Sequence, residues 1–91
     1  MKKDELIDLV KSYGDATITY RSQESRKVKY NVCTLDYNNS YIQGKQNRAK
    51  EDDETVLMFC WDVDAYRLIK PDNVTSVRPL AESLKEGYSV G

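Results

Sequence analysis

The chain has 91 residues, of which 40% are hydrophobic and 32% charged, and its net charge at pH 7 is -1. This composition is typical of one small folded domain and excludes a disordered chain or a protein that coats nucleic acid through bulk positive charge. The chain contains no histidine, which excludes serine–histidine, cysteine–histidine and histidine–metal chemistry. We therefore expect a protein that is not an enzyme, with no catalytic residues, no cofactor and no metal site.

Residues 3–13 carry apolar side chains at three- and four-residue spacings, with acidic residues early and Gly14 after the last turn, which predicts a short amphipathic helix. The period then changes to two and predicts five short strands, at 16–21, 27–35, 55–61, 66–69 and 74–77. The second strand returns antiparallel to the first. Both faces of the third strand are apolar, so this strand is expected to be central.

The connections between the strands differ in character. Residues 36–54 form a long polar segment with a basic middle and an acidic end, and loops of this length are functional or disordered. The third and fourth strands are joined by a tight hairpin, and a break at Pro71 precedes the fifth. Residues 81–86 add a helical turn, and the tail 87–91 is expected to be flexible.

The two cysteines, Cys33 and Cys60, lie in apolar strand-like runs and are interpreted as reduced core thiols. A disulfide between them is an alternative that requires an oxidising compartment. Near Cys33 the alternation breaks, which indicates either a bulge or a strand buried on both faces. No apolar run is long enough to cross a bilayer, and the start, MKKDELIDLV, does not resemble a signal peptide. We expect a cytoplasmic protein with no membrane partner.

Five short strands in this order predict a mainly β, small closed five-stranded barrel over residues 16–80, behind the helix, in one domain covering 1–91. Closure would protect the edges of so short a sheet. The order is similar to that of the Src-homology-3-like barrel, in which a single helical turn separates strands four and five.

Particular residues extend this similarity. They are the triplet Cys33-Thr34-Leu35, the pairs Trp61-Asp62 and Tyr66-Arg67, and the run DNVTSV at 72–77. In these features, residues 16–77 resemble small Src-homology-3-like barrel proteins of bacteriophages and some bacteria, although Tyr66 stands where relatives often have tryptophan. Residues 66–80 also resemble the last strands of WYL domains, which sense ligands or single-stranded nucleic acid, but the W-Y-L triplet is absent. The resemblance implies a fold and a phage-like context, with a host-cell cytoplasmic location.

Two groups of side chains are candidates for binding a ligand or a partner. Aromatic residues near the hairpin, with Tyr20, would form the floor of a groove that stacks a base or accepts an apolar side chain, and the alternative is that they pack in the core or at its rim. Cations on the strands and the loop would hold phosphate, and the alternative is a solvated face. The candidate residues are Tyr20, Lys27, Lys29, Tyr41, Lys45, Arg48, Trp61, Tyr66 and Arg67. The carboxylates Asp62, Asp64 and Asp72 are interpreted as turn residues, and the alternative is a site for a divalent cation, which would need several convergent oxygens.

The lack of catalytic residue sets, the small barrel and the long charged loop favour a non-enzymatic, phage-type binding module that modulates a host process by binding a host protein. The alternative is binding of nucleic acid or of a nucleotide, including the sequestration of signalling nucleotides. A small homo-oligomer also remains open, because a chain of this length buries additional surface by association.

Overall fold

The computed structural model describes residues 1–22, 24–47 and 49–85 of the chain. The predicted binding residue Arg48 and the predicted flexible tail 87–91 lie outside these ranges. Within them the elements follow one another as a helix, two strands, a long connection with a short helix, three further strands and a last helix.

Helix α1 spans Lys3–Tyr13, as the amphipathic pattern predicts. Its apolar stripe is fully buried at Leu6 and Val10, which pack in the core with the sheet. The helix ends at Gly14, whose φ of 81° is rarely adopted by residues with a Cβ, and whose N–H donates to the carbonyl of Val10 at 2.9 Å. Glycine at this position therefore lets the chain turn directly from the helix into the first strand.

The following elements are five strands: β1 (Asp15–Arg21), β2 (Val28–Thr34), β3 (Val56–Cys60), β4 (Ala65–Ile69) and β5 (Val74–Pro79). They form one antiparallel sheet in the order β4-β3-β2-β1-β5. A 3-10 turn at Pro71–Asn73 separates β4 from β5, and helix α3 (Leu80–Lys85) follows the last strand. The five predicted strands, the break at Pro71 and the last helical turn are confirmed, with small differences at their ends.

The sheet is open. Among the described strands, β4 pairs with β3 and β5 pairs with β1, but no ladder joins β4 to β5. The reason lies in β2, which pairs with β1 along its whole length but with β3 at Cys33 and Thr34 alone. The β3–β4 hairpin therefore diverges from the first half of β2 and leaves a gap beside β4. The structure is mainly β, and the closed barrel predicted from the sequence is not confirmed.

The main core lies between the inner face of the sheet and α1. Its fully buried members include Leu6, Val10, Ala16, Ile18, Cys33, Val56, Met58 and Cys60. Cys33 lies directly opposite Cys60 in the ladder, with 3.2 Å between the two Sγ atoms, and both are free thiols. Their mutual hydrogen bond, followed by burial, raises the pKa of Cys33 far above its usual range. The interpretation as core thiols agrees with this environment, and β2 is buried on both faces at Cys33 and Thr34.

The long connection 36–54 has structure of its own. It contains a short helix, α2 (Ser40–Gln43), whose first turn is capped by the Asn39 side chain accepting from the Tyr41 N–H at 2.9 Å. Ile42 of this helix is fully buried. The connection therefore covers part of the sheet, whereas the sequence indicated only that a loop of this length is functional or disordered.

Candidate functional site

The inner face of the sheet is apolar where it packs on α1 and basic toward the β1–β2 turn and β4. On β1, Tyr20 follows the buried Ile18 by two positions and so lies on the same side. The ladder places Lys29 of β2 opposite Tyr20. On β4, Arg67 lies opposite the buried Met58 of β3 and therefore shares this face. These three predicted binding residues thus meet at one end of the inner face.

The gap beside β4 forms a cleft. An open cavity of about 430 Å³ lies between the β1–β2 hairpin and β4, and a second of about 370 Å³ continues it toward the β3–β4 turn. Both are lined by Tyr20, Lys29 and Arg67, and the first is also lined by Arg21 and Lys70. The surface formed by these five residues is called the basic cleft below.

A chain of hydrogen bonds fixes one wall of the basic cleft. The Tyr20 hydroxyl donates to Oδ1 of Asn31 at 2.6 Å, and Nδ2 of Asn31 donates to Oδ2 of Asp62 at 2.9 Å. The backbone of Val32 accepts from the N–H of Trp61 at 2.7 Å, but its own N–H donates to Oδ1 of Asp62 at 3.1 Å. Asp62 thereby replaces a backbone carbonyl at the point where the β2–β3 ladder ends. The network holds Tyr20 in place and engages its hydroxyl.

The basic cleft carries an excess of positive charge. Four cations line it, whereas the carboxylates that line it are Glu24 and Asp62. Among the described residues, neither Lys29 nor Arg67 forms an ion pair. Burial is the largest influence on Tyr20 and raises its pKa, and the Arg67 guanidinium opposes that shift. Because cations that face one cleft repel each other, an anionic group between them would be stabilised.

Four aromatic side chains cluster on the outer face of β3 and β4. Phe59 is fully buried and makes edge-to-face contacts with Trp61, Tyr66 and Tyr41, with centroid distances of 5.1, 5.3 and 6.2 Å. Tyr41 also stacks on Trp61 at 6.0 Å. Phe59 lies outside the main core cluster. These four residues, called the outer aromatic cluster below, therefore form a second, smaller core between the sheet and the connection 36–54. Phe59 is its buried centre, and Tyr41, which belongs to the connection, keeps 51% of its surface exposed.

Polar contacts fasten the connection to this cluster. The Tyr41 hydroxyl and the Lys45 Nζ donate to the two carboxylate oxygens of Asp64 at 2.7 and 2.8 Å. Lys45 Nζ also lies 4.6 Å from the centroid of the Tyr41 ring. The hydrogen bond from Lys45, followed by that from Tyr41, lowers the pKa of Asp64. Trp61 Nε1 donates to Oδ1 of Asp15 at 2.9 Å. Tyr41 and Lys45 therefore hold the connection to the β3–β4 turn, and Trp61 joins that turn to the start of β1.

The predicted binding residues divide between two surfaces. Three of them line the basic cleft: Tyr20, Lys29 and Arg67. Three of them attach the connection to the outer face: Tyr41, Lys45 and Trp61. Tyr66 belongs to the outer aromatic cluster and also reaches the rim of the cleft, whereas Lys27 is exposed in the β1–β2 turn. Tyr20 and Trp61 lie on opposite faces of the sheet, so the structure does not bring them together in one groove.

The structure adds Asn31 and Asp62 to the site. Asn31 and Lys29 precede Cys33 by two and four positions, so strand alternation alone places all three on the same face. This spacing from the core residue Cys33 is the sequence signal from which the inner position of Lys29 can be predicted. Nothing comparable marks Asp62, because its role depends on a side chain that reaches across to the backbone of another strand.

The turn carboxylates have separate environments. Asp62 accepts hydrogen bonds from β2, Asp64 from Tyr41 and Lys45, and Asp72 is exposed in the 3-10 turn. In the described ranges, no three side chains of the cysteine, aspartate and glutamate types converge as ligands for a cation. In the same ranges, no helix has the length and apolar character needed to cross a bilayer.

Comparisons of this chain with models of protein families, with curated proteins and with solved structures found no significant match. Evidence for the function therefore comes from the basic cleft and the outer aromatic cluster.

Proposed function

We propose that this protein is a non-enzymatic binding module that holds a partner protein at the open side of its sheet, along β4 and the basic cleft. The observation that carries this proposal is the position of β4. It ends the sheet, pairs on one side alone among the described strands, and borders an open cavity of about 430 Å³. An unpaired edge of this kind is a template for another chain.

The distribution of the aromatic residues favours a protein partner over single-stranded nucleic acid. Binding of that kind uses exposed rings on which bases stack. Trp61 and Tyr41 are instead stacked on each other and hydrogen bonded to Asp15 and Asp64. Tyr20, the aromatic ring on the inner side of the cleft, is held by Asn31. Among the described residues, these three rings are therefore held by contacts within the chain, although Tyr41 keeps 51% of its surface exposed.

A phosphate-bearing ligand, such as a nucleotide, is the second candidate function. Lys29 and Arg67 line the same cavities without an ion pair in the described chain, and guanidinium groups bind phosphate through paired hydrogen bonds. Binding of this kind would weaken as salt is added, because the cations are exposed.

We further propose the Src-homology-3-like barrel, in an open form, as the fold, and a phage-type, host-directed role as the context. Strand order β4-β3-β2-β1-β5 and the 3-10 turn before β5 support the fold. The phage-type, host-directed role is supported by the residue pattern at 16–77 alone. The absence of histidine from the sequence and the engagement of Asp62 in the hydrogen-bond network support the non-enzymatic assignment.

Affinity capture with matched variants tests the proposal. The wild type, the cleft variant Lys29→Glu/Arg67→Glu and the control variant Lys2→Glu/Lys11→Glu, changed on and beside helix α1, are immobilised and exposed to bacterial lysate. We expect a protein that the wild type and the control retain and the cleft variant loses, and that binds again when purified. Retention of nucleotides in place of a protein, with the same dependence on the variants, would support the second candidate and overturn the first.

A further inference from the structure

The edge of β4 presents a defined pattern of side chains to any strand added beside it. Successive residues alternate between faces, so Arg67 points to the inner face while Tyr66 and Leu68 lie on the outer face. Leu68 is 41% exposed and lines the first cavity. The edge therefore offers a cation flanked by two apolar or aromatic neighbours.

We infer that the partner contributes an extended acidic segment, in which carboxylates alternate with apolar residues, and that this segment pairs with β4 as an additional strand. This inference rests on the proposed function and names the chemistry of its partner. Directly opposed residues of paired strands have Cβ atoms about 4.5–5.5 Å apart, so each residue of the added strand meets one residue of β4. A carboxylate beside Arg67 and apolar side chains beside Tyr66 and Leu68 match the pattern of the edge.

The charge of the cleft supports the same partner. A carboxylate beside Arg67 would face the cavities that Lys29 also lines. Arg21 and Lys70 line the first cavity as well and would attract further carboxylates near the ends of the segment. Lys70 is held weakly by Glu54, with 3.9 Å between Nζ and the carboxylate oxygen, so it can exchange this partner for another.

The acidic residues at 51–54 of this chain do not have the alternating pattern proposed for the added strand. The four carboxylates there are consecutive and do not alternate with apolar residues. Glu51 accepts from the Leu57 N–H at 2.9 Å, and Asp52 accepts from the Glu54 N–H at 2.8 Å, so both are engaged locally. We therefore do not expect residues 51–54 of one copy to pair with β4 of a second copy. Sedimentation of the free protein would show a dimer if such pairing occurred.

The test uses a fluorescein-labelled peptide of sequence Gly-Val-Glu-Val-Glu-Val-Gly and the full-length protein. Fluorescence anisotropy should show that the peptide binds the wild type and binds Arg67→Gln more weakly, by up to about fivefold, because one cross-strand charge pair is lost. The matched control Lys11→Gln should bind as the wild type does, and Arg67→Lys should restore part of the affinity. A peptide with lysine in place of glutamate should not bind. Circular dichroism and the melting temperature show that each variant is folded.

Backbone methylation separates strand addition from simple charge attraction. Two further peptides carry N-methyl groups on one or the other alternate set of residues. An added strand turns only one set of its N–H groups toward β4, so one methylated peptide should lose binding and the other should keep it. Amide exchange of β4 residues should slow when the parent peptide binds.

The outcomes are distinct. If both methylated peptides bind like the parent and Arg67→Gln still weakens binding, strand addition is wrong while a protein partner at the basic cleft stands. If the parent peptide does not bind at all, the inference is overturned. If pyrophosphate or an oligonucleotide then binds with the same dependence on Arg67, the proposed function fails with it.

Discussion

Replacing Asp62 by alanine removes the carboxylate that joins the β3–β4 turn to β2. Its two oxygens accept from the Asn31 side chain and from the Val32 N–H. Asn31 is only 6% exposed, so water does not readily replace the lost acceptor. The Tyr20 hydroxyl depends on the same amide. We therefore expect Asp62→Ala to weaken both the fold and the wall of the basic cleft.

The size of the effect follows from these contacts. A hydrogen bond to a charged group contributes about 1.5–3 kcal/mol, and leaving a buried donor unsatisfied costs about 1–3 kcal/mol. Asp62 itself is exposed, so solvent compensates for part of the loss at Val32. A net decrease of about 2 kcal/mol in the free energy of unfolding is expected, which lowers the melting temperature of a domain of this size by about 8–16 °C.

Urea unfolding followed by circular dichroism measures the change, with the free energy taken from the midpoint at an unchanged slope. Asp53→Ala is the matched control, because Asp53 is exposed and forms no hydrogen bond or ion pair with the described residues. A double-mutant cycle with Asn31→Ala isolates the coupling of the two side chains. If Asp62→Ala and Asp53→Ala differ by less than about 0.5 kcal/mol, Asp62 does not serve as the junction described above.

Three further predictions concern other parts of the structure. Phe59→Ala should lower the free energy of unfolding by about 3–5 kcal/mol and expose the connection 36–54 to proteolysis, and an unchanged cleavage rate would contradict the second core. Burial, followed by Glu51, raises the pKa of Tyr37 to about 12, so the stabilisation by its neutral form is present below about pH 10 and lost as pH rises through the raised value. Tyr37→Phe should accordingly remove the last step of tyrosinate absorbance, and a titration without that late step in the wild type would refute the assignment. The thiols of Cys33 and Cys60 should react with Ellman's reagent only as the protein unfolds, and a rapid reaction of the native protein would show that they are accessible.

The elements were predictable because their signals are local. The spacing of Leu6 and Val10, the stop at Gly14 and the alternation of β1 to β5 each depend on a few neighbouring residues. The core position of Cys33 and Cys60 followed from the same alternation. Their direct contact, with the Sγ atoms 3.2 Å apart, did not follow, because it depends on the register between two strands that are distant in sequence.

The arrangement of the site was less predictable. The sequence shows that both faces of β3 are apolar. It does not show that α2 covers the outer face, where Tyr41 of this helix stacks on Trp61. Closure of the sheet depends on how long β2 and β3 stay paired, and the hydrogen bonds of Asp62 mark the point at which that pairing ends. The separation of the candidate residues into two surfaces arises from these long-range contacts.

The pairing of β1 with β5 has a consequence for synthesis of the protein. Ala16 lies opposite Pro79, so the side of the sheet next to β1 is completed only when β5, the fifth strand along the chain, has been made. At elongation rates of about 5 to 20 residues per second, the β1–β2 hairpin waits roughly 2 to 9 s after Thr34 is added before Pro79 follows it. During that interval the apolar side of the hairpin, including Ile18, lacks its final cover. We therefore expect that protecting the nascent hairpin from aggregation during this interval raises the yield of folded protein.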